Sequence, residues 1–344
     1  MSLRAALLVL LGSTLLAACA PPREPSVAPG PTVEARHRGH GERLAADPRV
    51  GRYTSSAWGF STVSYWIEGD EGVVLVDTQF LPSAAEELVE IAERETGKPV
   101  VAAVVLHANP DKFNGTAVMQ ARGIEVLSSD PVRALIPGVH AKRLAAFGER
   151  YAPDYPAEAA RPSGFGEAST TLHLAGLELR AEVLGPGCSE AHVALQWEGH
   201  LFVGDLVANG THSWLKLGHG DAWRQRIDEL SALRPRFVHP GRGASGGPEL
   251  LEAQRAYLER VQALVVAEHG AMQAAGLEPT RSRVQAALAR VRRELEHEYP
   301  EHRFAVFLDI GLPAEWRRVT AAGSGGRERV GPHEAVGQID DEGV

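Results

Sequence analysis

His107 and Asp111 stand four residues apart in the run Val104-Val105-Leu106-His107-Ala108-Asn109-Pro110-Asp111-Lys112-Phe113-Asn114-Gly115. Imidazole and carboxylate both suit zinc, and a pair at this spacing on one loop can converge on a single ion. The same spacing also serves ordinary loop polar residues. A second candidate is Cys188, one of two cysteines in 344 residues. A solitary thiol is a buried small hydrophobe, a metal ligand or a nucleophile, and its spacing alone does not choose among them.

These residues need elements to position them. Three apolar β-formers lead into the Pro110 loop, which therefore hangs from the C-terminal end of a buried strand, where open α/β folds place their chemistry. Upstream, residues 62–68 and 72–77 read as antiparallel strands joined at Gly69-Asp70, followed by a helix over 83–96 that Pro82 opens. Downstream the pattern predicts a strand over 123–127 and a helix over 131–151 broken at Pro137-Gly138. Further strands are expected over 170–174, 177–184, 193–197 and 201–203, then a helix over 222–233 and a short strand at 237–238. Two helices, near 248–275 and 280–297, are expected to close the chain. Two βα halves in this order suggest an α/β fold of four layers, αββα.

The ends have a different character. Arg4, an apolar stretch over 5–16 and small residues after it predict an export leader rather than a membrane span. Leu16-Ala17-Ala18-Cys19 resembles the lipobox of bacterial lipoproteins. That resemblance implies a leader over 1–18, acylation of Cys19, and, with Ala20 rather than Asp next, an outer-membrane anchor facing the periplasm. Residues 19–46, rich in Pro, Gly, Arg and Glu, read as a tether, and 322–344 as a similar tail. A net charge of −9 argues against nucleic acid as a partner. With Cys19 acylated, Cys188 has no disulfide partner in an oxidising compartment.

Five signposts then occur in order: Val74-Leu75-Val76-Asp77-Thr78, the His107–Gly115 run, Gly185-Pro186-Gly187-Cys188-Ser189, Phe202-Val203-Gly204-Asp205, and His239-Pro240-Gly241-Arg242-Gly243. On these the chain, from about residue 53 to 243, resembles the metallo-β-lactamase superfamily. Trp214, with Gly220-Asp221 and a helix after it, is more similar to the general hydrolase branch than to dedicated β-lactamases. The resemblance implies a metallo-β-lactamase-like αββα sandwich over 47–247 with a C-terminal helical extension over 248–321. That extension is expected to cover one edge or to mediate a homodimer.

The resemblance also exposes departures. Against the family pattern His-x-His-x-Asp-His, His107 and Asp111 are in place while Asn109 and Lys112 occupy the second and third His positions. Cys188 replaces the His of Pro-Gly-His, Asp205 matches the bridging Asp, and Arg242 replaces the last His. His239 lies three residues early and cannot take that role. The implied first metal site is His107, Asn109 and Cys188 with Asp205 shared; the second is Asp111, Lys112, Asp205 and Arg242. A protonated guanidinium or ammonium offers no lone pair. A Zn²⁺ about 4 Å from either cation would meet repulsion of about 8 kcal/mol at an effective dielectric near 20. The expectation is an ion-pair cluster in place of the second metal, and at most one zinc, on His107, Cys188 and Asp205.

As a hydrolase of small-molecule ester, thioester or lactam bonds, the chain would use Asp111 to orient water or take its proton. Lys112 or Arg242 would hold an anionic group of the substrate, and Asn109 would contact substrate or water. Metal-free attack by Cys188, with His192 or His107 as base, is the competing chemistry; His192 otherwise reads as support or core. The second class of function is a metal-free ligand-binding or assembly protein of the cell envelope. His212, His219 and His239 read as hydrogen-bonded or surface histidines. Trp58, Phe60, Trp66 and Trp214 fill the core or line a substrate wall.

Overall fold

The computed structural model describes residues 37–323. The leader, the acylation motif and the tail beyond 323 lie outside them. Two sheets face each other. The first has seven strands in chain order: β1 His40–Leu44, β2 Asp47–Thr54, β3 Val63–Glu68, β4 Val73–Val76, β5 Val100–Val104, β6 Glu125–Ser128 and β7 Ser163–Gly164. The hairpins β1–β2–β3–β4 are antiparallel, and β4 through β7 are parallel. The second sheet runs β12 (Phe237–Arg242), β11 (His200–Ala208), β10 (His192–Trp197), β9 (Leu177–Leu184), β8 (Thr170–Leu174), with only β11–β12 parallel.

Helices cover both outer faces. On the first sheet lie α1 (Pro82–Thr96), α3 (Thr116–Ala121) and α4 (Asp130–Phe147), with the single turn α2 (Pro110–Phe113) at the sheet's C-terminal edge. Pro82 starts α1, and Gly97 ends it in the left-handed conformation while donating its N–H to Glu93 O. On the second sheet lie α5 (Gly220–Ala232) and α6 (Glu249–Ala274), joined by α7 (Arg281–Glu298) and α8 (Val306–Gly323). This is the expected αββα sandwich. No described helix is long and apolar enough to cross a membrane.

Period-two alternation separates two cores. Val193, Leu195, Trp197 and Phe202 face the first sheet, whereas Ala194, Leu201 and Val203 face the C-terminal helices. Continued alternation would turn Asp205 toward those helices. Instead Gly204 adopts φ +54° at a register shift against β12, and Leu206 and Val207 resume contact with the helices. The bulge thereby frees the Asp205 carboxylate to meet groups from the first sheet.

Four readings of the sequence need correction. The tether expected over 19–46 ends earlier, because β1 pairs with β2 from His40 to Leu44. β2 itself went unread, since Arg49, Gly51 and Arg52 mask its alternation, although Val50 and Tyr53 are fully buried. The break at Pro137 does not occur: α4 runs through it, held by Val132, Ile136 and His140, one buried stripe at four-residue spacing on both sides of the proline. The extension has three helices rather than two. Gly311 and Pro313 hid α8, yet Leu308, Leu312 and Trp316 form its buried stripe.

Candidate functional site

The loop after β5 is pinned to both sheets. Leu106 donates its N–H to Asp77 Oδ1 at 2.8 Å and accepts from Val193 N at 2.6 Å, and His107 pairs with His192 in an isolated bridge. Asn109 then caps α2 through its backbone carbonyl, which accepts from Lys112 N at 2.9 Å. One short loop thus places His107, Asn109, Asp111 and Lys112 within reach of β11 and β12.

Lys112 is fully buried, and its side chain ends among carboxylates. Its Nζ lies 2.9 Å from Asp205 Oδ1, 3.1 Å from Asp111 Oδ2 and 4.0 Å from Asp77 Oδ2. Arg242, at the end of β12, donates Nη2 to Asp111 Oδ2 at 2.8 Å and lies 3.7 Å from Asp205 Oδ2. Its Nη1 donates to Phe60 O at 2.7 Å. Gly241 makes this approach possible, because a Cβ there would stand 2.1 Å from Asp205 Oδ1 and 2.8 Å from Lys112 Nζ.

Burial alone would raise the Asp205 pKa, but Lys112 and Arg242 hold it well below the usual carboxylate range. Burial likewise disfavours the charged Lys112, and Asp111, Asp205 and Asp77 more than reverse that. Asp77 is pushed up to about 6 by its burial, against the pull of Lys112 and His107. The expected cluster of two carboxylates and two cations is present, and a third carboxylate, Asp77, joins it.

Behind this cluster His107, Cys188 and His192 bring one donor atom each within 4.8 Å of the others. All three are at most 1 % exposed. Asp205, expected as the third ligand with His107 and Cys188, keeps its Oδ2 3.7 Å from His107 Nε2 while its Oδ1 is held by Lys112. His192, read as support, joins His107 and Cys188 in the donor group. Burial, reinforced by Asp205, keeps Cys188 a thiol, and burial keeps His192 neutral. His192 Nε2 accepts from Ser189 N at 3.1 Å and lies 3.9 Å from Cys188 Sγ. Neither ring nitrogen of His107 has a hydrogen-bond partner among the described residues.

A recess of about 480 Å³, counting its solvent-open mouth, lies over the ion-pair cluster. Asn109, Asp111, Asp205 and Arg242 form its floor, and Phe60, Phe80, Phe147, Trp214 and Phe307 its walls. Residues 57–242 match the metallo-beta-lactamase superfamily. The chain belongs to that superfamily. Its fold is similar to solved metallo-beta-lactamases from Pontibacter korlensis (21 % identity, covering 64 % of this chain and 99 % of that one, TM-score 0.52) and Erythrobacter litoralis (22 %, 64 % and 96 %, 0.51). It is also similar to the enzyme FIM-1 of Pseudomonas aeruginosa in its mono-zinc form (20 %, 65 % and 96 %, 0.50).

Superfamily members typically bind zinc. The donors His107, Cys188 and His192 fit one ion by type, since two imidazoles and a thiolate all suit zinc. The position flanked by Asp111 and Asp205 does not fit, because Lys112 Nζ and the Arg242 guanidinium already fill it.

Other candidates separate cleanly. Trp66 is core, and His212, His219 and His239 bond to Tyr257, Glu190 and the His200–Ser245 pair respectively. Phe60 and Trp214 line the recess, while Trp58 packs at a tilt against Tyr151. Reading from sequence missed Arg143, Phe147 and Phe307. Arg143 and Phe147 carried a usable signal, a cation and an aromatic ring one helical turn apart on α4. Phe307 had none once α8 was overlooked.

Proposed function

We propose that this protein is a metal-free, lipid-anchored envelope protein of metallo-β-lactamase fold, in which a buried ion-pair cluster stands where the second metal would lie, and that its recess binds a small organic ligand. The observation that carries this reading is Lys112 Nζ at 2.9 Å from Asp205 and 3.1 Å from Asp111, with Arg242 closing the same carboxylates. Both cations are held by this cluster, so the role expected of Lys112 or Arg242, holding an anionic group of the substrate, gives way to holding the floor. The anchor rests on Leu16-Ala17-Ala18-Cys19. It predicts an outer-membrane location facing the periplasm, and Cys19→Ser should move the chain from the membrane to the soluble fraction.

A second reading, a one-zinc hydrolase of ester, thioester or lactam bonds, draws support from the His107, Cys188 and His192 donors. The neighbouring fold from Pseudomonas aeruginosa exists in a mono-zinc form. A zinc ion, when bound, supplies Lewis acidity for hydrolysis. The three donors here are sealed from the recess, the character of a structural rather than a catalytic site. Asp111, at the floor of the recess, is the residue placed to orient a water.

Metal content of the full chain, purified without chelator and then supplied with zinc, separates the readings. Binding below one-tenth of an equivalent in the wild type, with uptake gained by Lys112→His/Arg242→His, is expected on the first. About one zinc per chain, lost in Cys188→Ser and accompanied by chelator-sensitive hydrolysis, would replace it with the second.

A further inference from the structure

The cations around Trp214, in the wall of the recess, differ from those at its floor. Arg143 comes from α4, and its guanidinium carbon lies 4.8 Å from the centre of the Trp214 ring. Lys216 Nζ approaches the same ring at 6.0 Å. Among the described residues no carboxylate lies within ion-pair distance of Arg143, Lys216 or the adjacent Lys142. Burial lowers the pKa of Arg143 against the pull of Tyr155 and Asp111, and burial together with Arg143 and Lys142 lowers that of Lys216, so positive charges crowd here with no carboxylate in direct contact. This happens in a chain whose net charge is −9. Arg143 lies in the wall of the recess next to Phe147, and Trp214 packs edge-on against Phe307 at 5.0 Å.

We propose that Arg143 and Lys216, set around Trp214, form an anion-recognition site, and that the ligand of the recess is a small organic anion with a flat apolar body. Its carboxylate or phosphate would take the planar donor fork of Arg143. Its apolar body would lie against Phe147, Trp214 and Phe307. The two cations of the floor already face three carboxylates and need no further anion, so Arg143 and Lys216 rather than the floor select charge. This deepens the ligand-binding reading and rests on it only for the use of the recess.

The test is equilibrium binding of 2-naphthoate, 2-naphthyl phosphate and the neutral 2-naphthamide to the full chain, with chelator present. Trp fluorescence and calorimetry supply the readouts, each at low and at high salt. At least about tenfold tighter binding of one anion than of the amide is expected at low salt, shrinking as salt rises. Which anion binds tighter tells carboxylate from phosphate. Arg143→Gln should bring the ratio within about threefold, Lys216→Gln should lower it partly, and Arg143→Lys should restore some of it. Equal binding of anions and amide in the wild type, or a preference that survives both Gln variants, overturns the anion site and leaves ligand binding standing. Absence of binding by all three probes defeats both. Should Arg143→Gln fail to fold, Lys216→Gln and the wild-type salt dependence decide.

Discussion

Lys112 shows what a residue type means once its surroundings are known. Its ammonium is sealed among three carboxylates, and such a group is costly to bury and costlier to leave half-paired. Lys112→Met should therefore cost about 3–5 kcal/mol in urea unfolding, because Asp205 loses its nearest cation and Asp111 one of its two. Adding Asp205→Leu to it should recover part of that loss, since the double variant removes charge from both sides. A double variant less stable than the sum of the singles would contradict the pairing. Cys188 follows the same logic of burial. At 1 % exposure, with its thiol held protonated, it should resist alkylation in the native protein and react on unfolding, as read by peptide mapping at that position.

β11 decides where the carboxylate of the floor points. Alternation along the strand would send Asp205 to the helical side, and the left-handed Gly204 at the register shift reverses this. A Cβ at Gly204 would also stand 3.0 Å from His107 Nδ1. Gly204→Ala should destabilise the protein by about 1–2 kcal/mol, the cost of a left-handed alanine, and perturb ligand binding at the recess more than a surface Gly→Ala does. Thermal melts of this variant beside Gly270→Ala, which meets nothing within 4 Å, check it. The same bulge shows why elements were easier to read than their ends. Strands announced themselves by alternation, but β11 and β12 extend well past the segments expected at 201–203 and 237–238, through Gly204 and Pro240, residues that ordinarily signal a stop.

Buried histidines set the acid response of the whole molecule. Burial lowers His239 to about 3, with His200 adding repulsion, and lowers His212 to about 4. The unfolded chain binds these protons near pH 6.5 and the folded chain does not, so stability is full above pH 6.5 and falls as pH drops toward 3–4. Each histidine contributes at most about 1.4 kcal/mol per pH unit. Urea midpoints between pH 7 and 4 should decline, and His239→Gln should flatten the decline; an unchanged slope would remove His239 from this role. The amino-acid sequence by itself determined the αββα sandwich and the loss of ligand types at the second metal position, because period-two and helical patterning and the chemistry of Lys and Arg are properties of residues and their neighbours along the chain. It also put His107, Asp111, Lys112, Asp205 and Arg242 at the site, through five ordered motifs. Only the tertiary structure set Asp205 between His107 and Lys112, brought His192 beside Cys188, drew Asp77 into the floor and carried Arg143 and Phe307 to the recess. Those outcomes depend on a bulge, a bridge between two sheets and helices distant in sequence, and local pattern does not encode how such elements meet.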